Sequence, residues 1–440
     1  MEVNAMKKLV SLLMAVIMLL SVCSFSLAED ASSDKIIVTF WHHASSGALY
    51  DVIKDAVDTF NSTIGEEKGI EVQETYVGSY SDILPKIQLA VTSGDQPTVA
   101  VSGLFQVAPQ VEDGILADLK TFADADGFDM SNFLDCFQEV YTADDGHVWS
   151  FPYTRSTPVL YYNKTMADAK GLTAPTTIEE MEEFCKALYE TDENGNTTVY
   201  GLEIPADSFT YGTVSPAQLG SSYISEDRTY SPCLEDGTLL KIFSDYRRWV
   251  DEGWCKPYDK QVGSSTLEQM VNGHLGAYLA SSGGLVSAQT AMEEAGYELG
   301  VAKYPYYEDG QPYVSIGGGS ITLIAEGNSD EQQQAGWEFI KFLMSDEMIY
   351  RNSVGTGYIP FTKSVADYEP MKQYWEEHPF ALLAYEQMQD GEAQEKGVIT
   401  QMTEYMYAGF EVLDLLIQAQ SITPEEAIEM MKTTTAEYFN

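Results

Sequence analysis

Apolar and polar positions along this chain switch repeatedly between a period of two and a period near three and a half. Ile36–Trp41 is a β-branched and aromatic run and reads as a strand. Apolar residues then fall at 49, 53, 56, 57 and 60, which predicts an amphipathic helix over Leu49–Phe60. Ile70–Tyr76 reads as a second strand, Ile83–Val91 as a helix and Thr98–Ser102 as a third strand. Strands alternating with helices predict parallel βαβ units and a doubly wound sheet.

Two prolines, Pro152 and Pro158, interrupt any helix in Ser150–Lys164 and push the residues before them towards extended geometry. Val159–Tyr162 has the composition of a buried strand, closed by Asn163-Lys164 as a turn. Such a crossing joins two lobes and shows Arg155, Ser156 and Thr157 to the gap between them. Beyond it, Thr177–Tyr189 is a helix opened by Thr176-Thr-Ile-Glu179 at capping-box spacing. Thr238–Asp251 and Ser264–Asn272 read as helices and Gly276–Ala280 as a strand. Gly300–Tyr304 and Ser320–Ala325 read as strands on either side of a hairpin around Glu308-Asp-Gly310. Glu331–Met344 is helical, Thr356–Pro360 a loop, and the chain from Tyr368 onward rich in helix.

The length of 440 residues exceeds one ordinary core, so two lobes are expected. A hydrophobic share of 44% with 21% charged residues describes a globular protein rather than a disordered one. The N-terminus stands apart. Lys7-Lys8, the apolar run Leu9–Leu20 and Ser26-Leu-Ala28 form a signal peptide cleaved after Ala28, which implies export. Leu20-Ser-Val-Cys23 approaches a lipoprotein signal, but Val22 is bulky where that signal wants a small residue. A lipid anchor at Cys23 and an uncleaved anchor over Leu9–Ala28 are the alternatives.

The formal charge of −44 disfavours nucleic acid and anionic lipid as partners. Cys136, Cys185, Cys233 and Cys255 remain after cleavage, and export permits disulfides. Cys233 and Cys255 flank a helical stretch and are the favoured pair; free buried thiols are the other reading. Asp192-Glu-Asn-Gly-Asn196, with Glu203 at the twelfth position, resembles a calcium loop. Its glycine comes fourth rather than sixth, however, and Asn-Gly is a standard hairpin turn, so the turn is preferred and no metal is assigned.

Six short motifs lie in order along the chain: Phe40-Trp-His42, Tyr76-Val-Gly-Ser-Tyr80, Ser156-Thr-Pro-Val-Leu-Tyr-Tyr-Asn-Lys164, Ala280-Ser-Ser-Gly283, Gly317-Gly-Gly319 and Thr356-Gly-Tyr-Ile-Pro360. In this order they resemble the family 1 extracellular solute-binding proteins of ABC importers, in particular the glycerol-3-phosphate/carbohydrate-binding branch. The resemblance implies an α/β, two-lobe periplasmic-binding-protein-like fold, each lobe a doubly wound sheet with flanking helices, joined by a multi-crossing hinge. It places the N-terminal lobe at 29–153 and 305–355, and the C-terminal lobe at 154–304 and 356–440.

The same resemblance implies ligand contacts from Tyr80, Ser156, Ser281, Gly318 and Tyr358. A serine hydroxyl both donates and accepts, as a sugar hydroxyl demands. Gly318 would let backbone approach a ligand closely, although a tight turn explains the same glycines. Ser281 could equally be an ordinary helix cap. Trp41, Phe105 and Phe209 are candidates to stack on sugar C–H faces, and His42 ends a strand on the expected cleft side. Core packing competes with each of these four.

Departures from the branch matter equally. The relatives carry a C-terminal arginine for phosphate, but Thr400–Phe410 has none, and no Lys or Arg occurs between Lys396 and Lys432. Their acidic glycerol contact is replaced near Leu104-Phe-Gln106, and their stacking tryptophan by Ile178. Arg155 stands where they have a small polar residue. Loss of a charge-assisted pair is costly for an anionic ligand, so the expected ligand is a neutral saccharide. Glycerol-3-phosphate or a glycerophosphodiester is the alternative that Arg155 keeps open. The implied partners are a carbohydrate and the importer's permease, with the receptor a monomer and without cofactor. A secreted carbohydrate-active hydrolase is the competing class. Against it, Glu179/Glu183 is an ordinary helix-face spacing, and no Gly-x-Ser-x-Gly or His-Glu-x-x-His occurs.

Overall fold

The computed structural model describes residues 35–204, 215–257, 266–313, 316–390 and 400–439. The signal peptide, Cys23 and Phe209 lie outside these residues. Eleven strands are described: β1 Ile36–His42, β2 Ile70–Tyr76, β3 Val99–Gly103, β4 Phe151–Ser156, β5 Pro158–Asn163, β6 Glu190–Thr191, β7 Thr197–Ile204, β8 Cys255–Pro257, β9 Leu275–Ser281, β10 Leu299–Lys303 and β11 Gly317–Leu323. They form two sheets.

The first sheet has the order β2-β1-β3-β11-β4. Its β-branched β1 runs parallel to β2 in the register Ile36↔Ile70, and parallel to β3. The helix Gly47–Ser62 turns Ile53, Ala56, Val57 and Phe60 into the core of this lobe, and Asp330–Leu343 adds Trp337, Phe339 and Ile340. The second sheet has the order β10-β5-β9-β7-β6, with β8 also pairing β7. Helices Ile178–Leu188 and Thr238–Asp251 cover it, burying Phe184, Phe243 and Trp249. Apolar burial at roughly 25 cal/mol per Å² holds each lobe around its own sheet.

Several expectations change. Strands β10 and β11 are not arms of one hairpin. β10 lies antiparallel to β5 in the second sheet, whereas β11 lies antiparallel to β3 and β4 in the first. The chain therefore crosses between sheets within 304–316, because the apolar runs on either side match different cores. Likewise Ile359, Phe361, Met371, Trp375 and Tyr385 pack into the first core, although the chain was expected to have returned to the second lobe at 356. The capping box is one residue later than its spacing suggested. Thr177 receives the backbone N–H of Glu180, whose carboxylate reaches back to the N–H groups of Thr176 and Thr177.

The Asp192 loop is a hairpin turn between β6 and β7, with Gly195 at φ +83°. The Asp192 carboxylate accepts from the backbone of Asn194 and Asn196, while Glu203 turns instead to Lys256 and Thr266. Among the described residues Cys136, Cys185, Cys233 and Cys255 form no disulfide, so the Cys233–Cys255 bridge is absent. Cys233 lies 3.5 Å from Ser231 Oγ and from the Tyr405 hydroxyl.

Candidate functional site at the lobe junction

Three stretches knit together where the sheets meet. The first is the crossing from β4 to β5, which carries Ser156 and Thr157. The backbone N–H of Thr157 donates to Ser282 Oγ at 3.2 Å, and the N–H of Ser282 donates to the Thr157 carbonyl at 2.8 Å. The loop Thr356–Pro360 is tied to the crossing by the N–H of Ile359 donating to the Arg155 carbonyl at 2.7 Å. Gln387 braces the junction, donating to Thr157 Oγ1 at 2.9 Å and accepting from the N–H of Tyr304.

On the first-lobe side, Tyr80 opens the helix Tyr80–Ser93 behind the cap residue Ser79. Its hydroxyl lies 2.9 Å from Thr154 Oγ1, and the Tyr358 side chain stands close enough to interact with both. Burial pushes the phenols of Tyr80 and Tyr358 up from their usual range, so both are neutral. The Tyr80 carbonyl accepts from Gln106 Nε2 at 2.5 Å. This geometry explains Gly319: a Cβ there would stand 2.6 Å from the Tyr80 hydroxyl and 2.7 Å from Thr154 Oγ1. Gly318, at φ +91°, would drive a Cβ into the Thr154 carbonyl, so backbone geometry alone requires its glycine.

On the second-lobe side, Tyr358 lies against Gly283, where a Cβ would strike its ring. Ser281 caps the short turn Ser282–Gly284, accepting from the N–H of Gly283 at 3.1 Å. Its carbonyl accepts from the Tyr161 hydroxyl at 2.8 Å. Ser156 is buried, and its Oγ has no hydrogen-bond partner among the described residues.

Two predicted residues stand elsewhere than expected. His42 is fully buried with Nε2 2.7 Å from the Glu74 carboxylate, beside Phe40 and Tyr50. Strand alternation turns its successor the other way. His43 stacks on Tyr80 with ring centroids 4.0 Å apart, and its Nδ1 is buried without a partner among the described residues. Burial, then the neighbouring His42, pushes His43 down to about 4, so the ring is neutral near pH 7. Arg155 does not stand open in the gap; it is fully buried, with Nη2 donating to Ser320 Oγ at 3.3 Å. Sequence reasoning missed His43 and Thr154, and reached Gln106 only as part of the Leu104-Phe-Gln106 stretch. The His42-His43 pair carried a usable signal, since only one of two adjacent strand-end residues faces each side. Phe105 is half-buried between both cores, and Trp41 packs against a smaller cluster with Ile83 and Ile87.

The model of the bacterial extracellular solute-binding protein family matches residues 55–379. The chain belongs to this family. Among its curated relatives, the sn-glycerol-3-phosphate-binding periplasmic protein UgpB of Agrobacterium fabrum is 27% identical over 359 residues, covering 77% of each chain. UgpB from Mycobacterium tuberculosis, solved with glycerophosphocholine, superposes with a TM-score of 0.77 at 19% identity, covering 91% of this chain and 98% of that one. The cyclic alpha-maltosyl-1,6-maltose binding protein from Arthrobacter globiformis gives 0.73 at 23% identity, covering 92% and 99%. The two-lobe fold is therefore that of the periplasmic solute-binding proteins, and the chain is a solute-binding receptor of an ABC importer. Its family consists of exported binding proteins rather than enzymes. No helix among the described residues is long and apolar enough to cross a membrane.

Proposed function

We propose that this receptor captures a carbohydrate at the lobe junction and presents it to a membrane permease, acting as an exported monomer. The observation that carries this reading is the cluster of Tyr80, Thr154 and Tyr358 with the neutral His43 ring, and the buried, unpartnered Ser156 hydroxyl two residues further along β4. Neutral donors and acceptors beside aromatic faces suit a polyol, whose hydroxyls need partners in both senses. Tyr80, Ser156 and Tyr358 are the proposed contacts, and Ser281 and Gly318 shape the wall around them. Closure follows from differential contact: the solute meets one lobe first, and the Ser281–Gly284 corner adds contacts only when the lobes approach. The solute leaves chemically unchanged.

Glycerol-3-phosphate or a glycerophosphodiester is the second reading. It is favoured by the names of the relatives and by the positive charge of Arg155 close to Tyr80 and Tyr358. A thermal-shift screen of the mature protein separates the two, with mono- and oligosaccharides beside glycerol-3-phosphate and glycerophosphocholine. Solute at about 100 times its dissociation constant stabilises by about 2.7 kcal/mol. A shift with saccharides alone supports the carbohydrate reading; a shift with the phosphates alone replaces it. Recovery of hydrolysed sugar after incubation would instead move the chain to the enzyme class.

A further inference from the structure

Arg155 is the one large side chain at the junction whose surroundings do not account for its chemistry. Its side chain is 0% exposed, and a guanidinium carries five N–H donors and no acceptor. The donors on Nε and Nη1 meet no acceptor among the described residues. The remaining contacts are weak: one 3.3 Å hydrogen bond from Nη2 to Ser320 Oγ, and the face of the Tyr141 ring 5.6 Å away. Other buried or half-buried cations in this protein have carboxylates, as Arg248 has Glu182 and Lys256 has Glu203. No carboxylate pairs with Arg155 among the described residues. A full charge taken out of water without a counter-charge is among the costliest arrangements in a protein interior.

We infer that Arg155 is the core of an anion site, in which an anionic group accepts hydrogen bonds from Nε and Nη1. Ser320 Oγ and the Tyr141 hydroxyl, 3.4 Å apart, stand beside it as further polar neighbours. The site borders the lobe junction, because Arg155 lies in the first sheet one residue before Ser156 and the crossing to β5. Its charge also reaches the Tyr80 and Tyr358 hydroxyls, where it partly offsets the effect of burial. Two sources supply the same chemistry: a free inorganic anion such as chloride, or an acidic group on the captured solute. The second source rests on the function proposed above; the first does not.

Thermal unfolding of the mature protein in sodium chloride, against sodium HEPES at equal ionic strength, tests the free anion. A saturable rise in melting temperature with chloride, absent in Arg155→Gln, is expected for that source. Bromide-soaked crystals give a second measurement on the unaltered protein, with an anomalous peak beside Nε and Nη1. For the solute source, calorimetry compares glucuronate with glucose and glycerol-3-phosphate with glycerol. There the acidic member binds at least about tenfold more tightly, and Arg155→Gln abolishes the preference. If neither halide nor acidic solute acts through Arg155, buried water alone serves the guanidinium and the inference is wrong. Failure of every solute to bind would overturn the functional reading, while the halide measurements would still decide this one.

Discussion

The two lobes build their sides of the junction in different ways. The first lobe contributes large side chains already locked to one another: Tyr80 on Thr154, His43 on Tyr80, Gln106 on the Tyr80 carbonyl. The second contributes a small-residue corner, Ser281–Gly284, whose hydroxyls are spent on its own turn and on Thr157. Preorganised side chains lose little entropy on binding, so the first lobe suits recognition. A corner of glycine and serine lets another surface approach closely, which suits closure. Tyr358 belongs to both, its side chain close to Tyr80 and its ring against Gly283.

The largest expected effect tests whether the first-lobe wall is fixed by its backbone. Gly318→Ala should cost about 2–4 kcal/mol of stability, through positive φ and collision with the Thr154 carbonyl. Denaturant unfolding reads this, and an unaltered midpoint with weakened binding would return Gly318 to ligand contact. Next comes the shared residue. Tyr358→Ala should weaken solute binding by roughly 1–3 kcal/mol in calorimetry, and Tyr358→Phe by less. Equal affinities for all three proteins would remove Tyr358 from the site.

A pH profile probes the first lobe further. The folded-state pKa of His43 is pushed down to about 4, below its unfolded value, so the unfolded chain binds the extra proton first. The His43 contribution should therefore be fully present above pH about 6.5 and decline as the pH falls towards about 4. His43→Phe keeps the stack and should flatten that part of the stability profile; an unchanged slope would mean the ring is not desolvated.

The smallest effect concerns closure. Arg228, in left-handed backbone at φ +59°, reaches from the second lobe to Asp144 on a first-lobe hairpin, with an Nη2–Oδ2 distance of 2.8 Å. Both side chains are largely exposed, so Arg228→Ala should shift the open–closed balance by no more than about 1 kcal/mol. Small-angle scattering without solute would show a slightly larger radius of gyration; a change of several ångströms would make this pair a principal latch.

Local sequence chemistry determined the parallel strands β1 to β3, the helices between them and the break at Pro152 and Pro158. Periodicity and proline act over a few residues, whatever the rest of the chain does. The motifs likewise located Tyr80, Ser156, Ser281 and Tyr358 near one junction. Tertiary structure alone decided what depends on distant partners. It kept β10 and β11 from pairing as a hairpin, in line with the lobe boundary that the resemblance put between them, because strand partners are chosen by whole cores rather than by a nearby turn. It set Ile359–Tyr385 on the first core, kept the four thiols apart, turned His42 to Glu74 and His43 to Tyr80, and buried the Arg155 charge. In each case the deciding atom lies tens to hundreds of residues away along the chain, or on the opposite face of a strand, where a linear pattern carries no record of it.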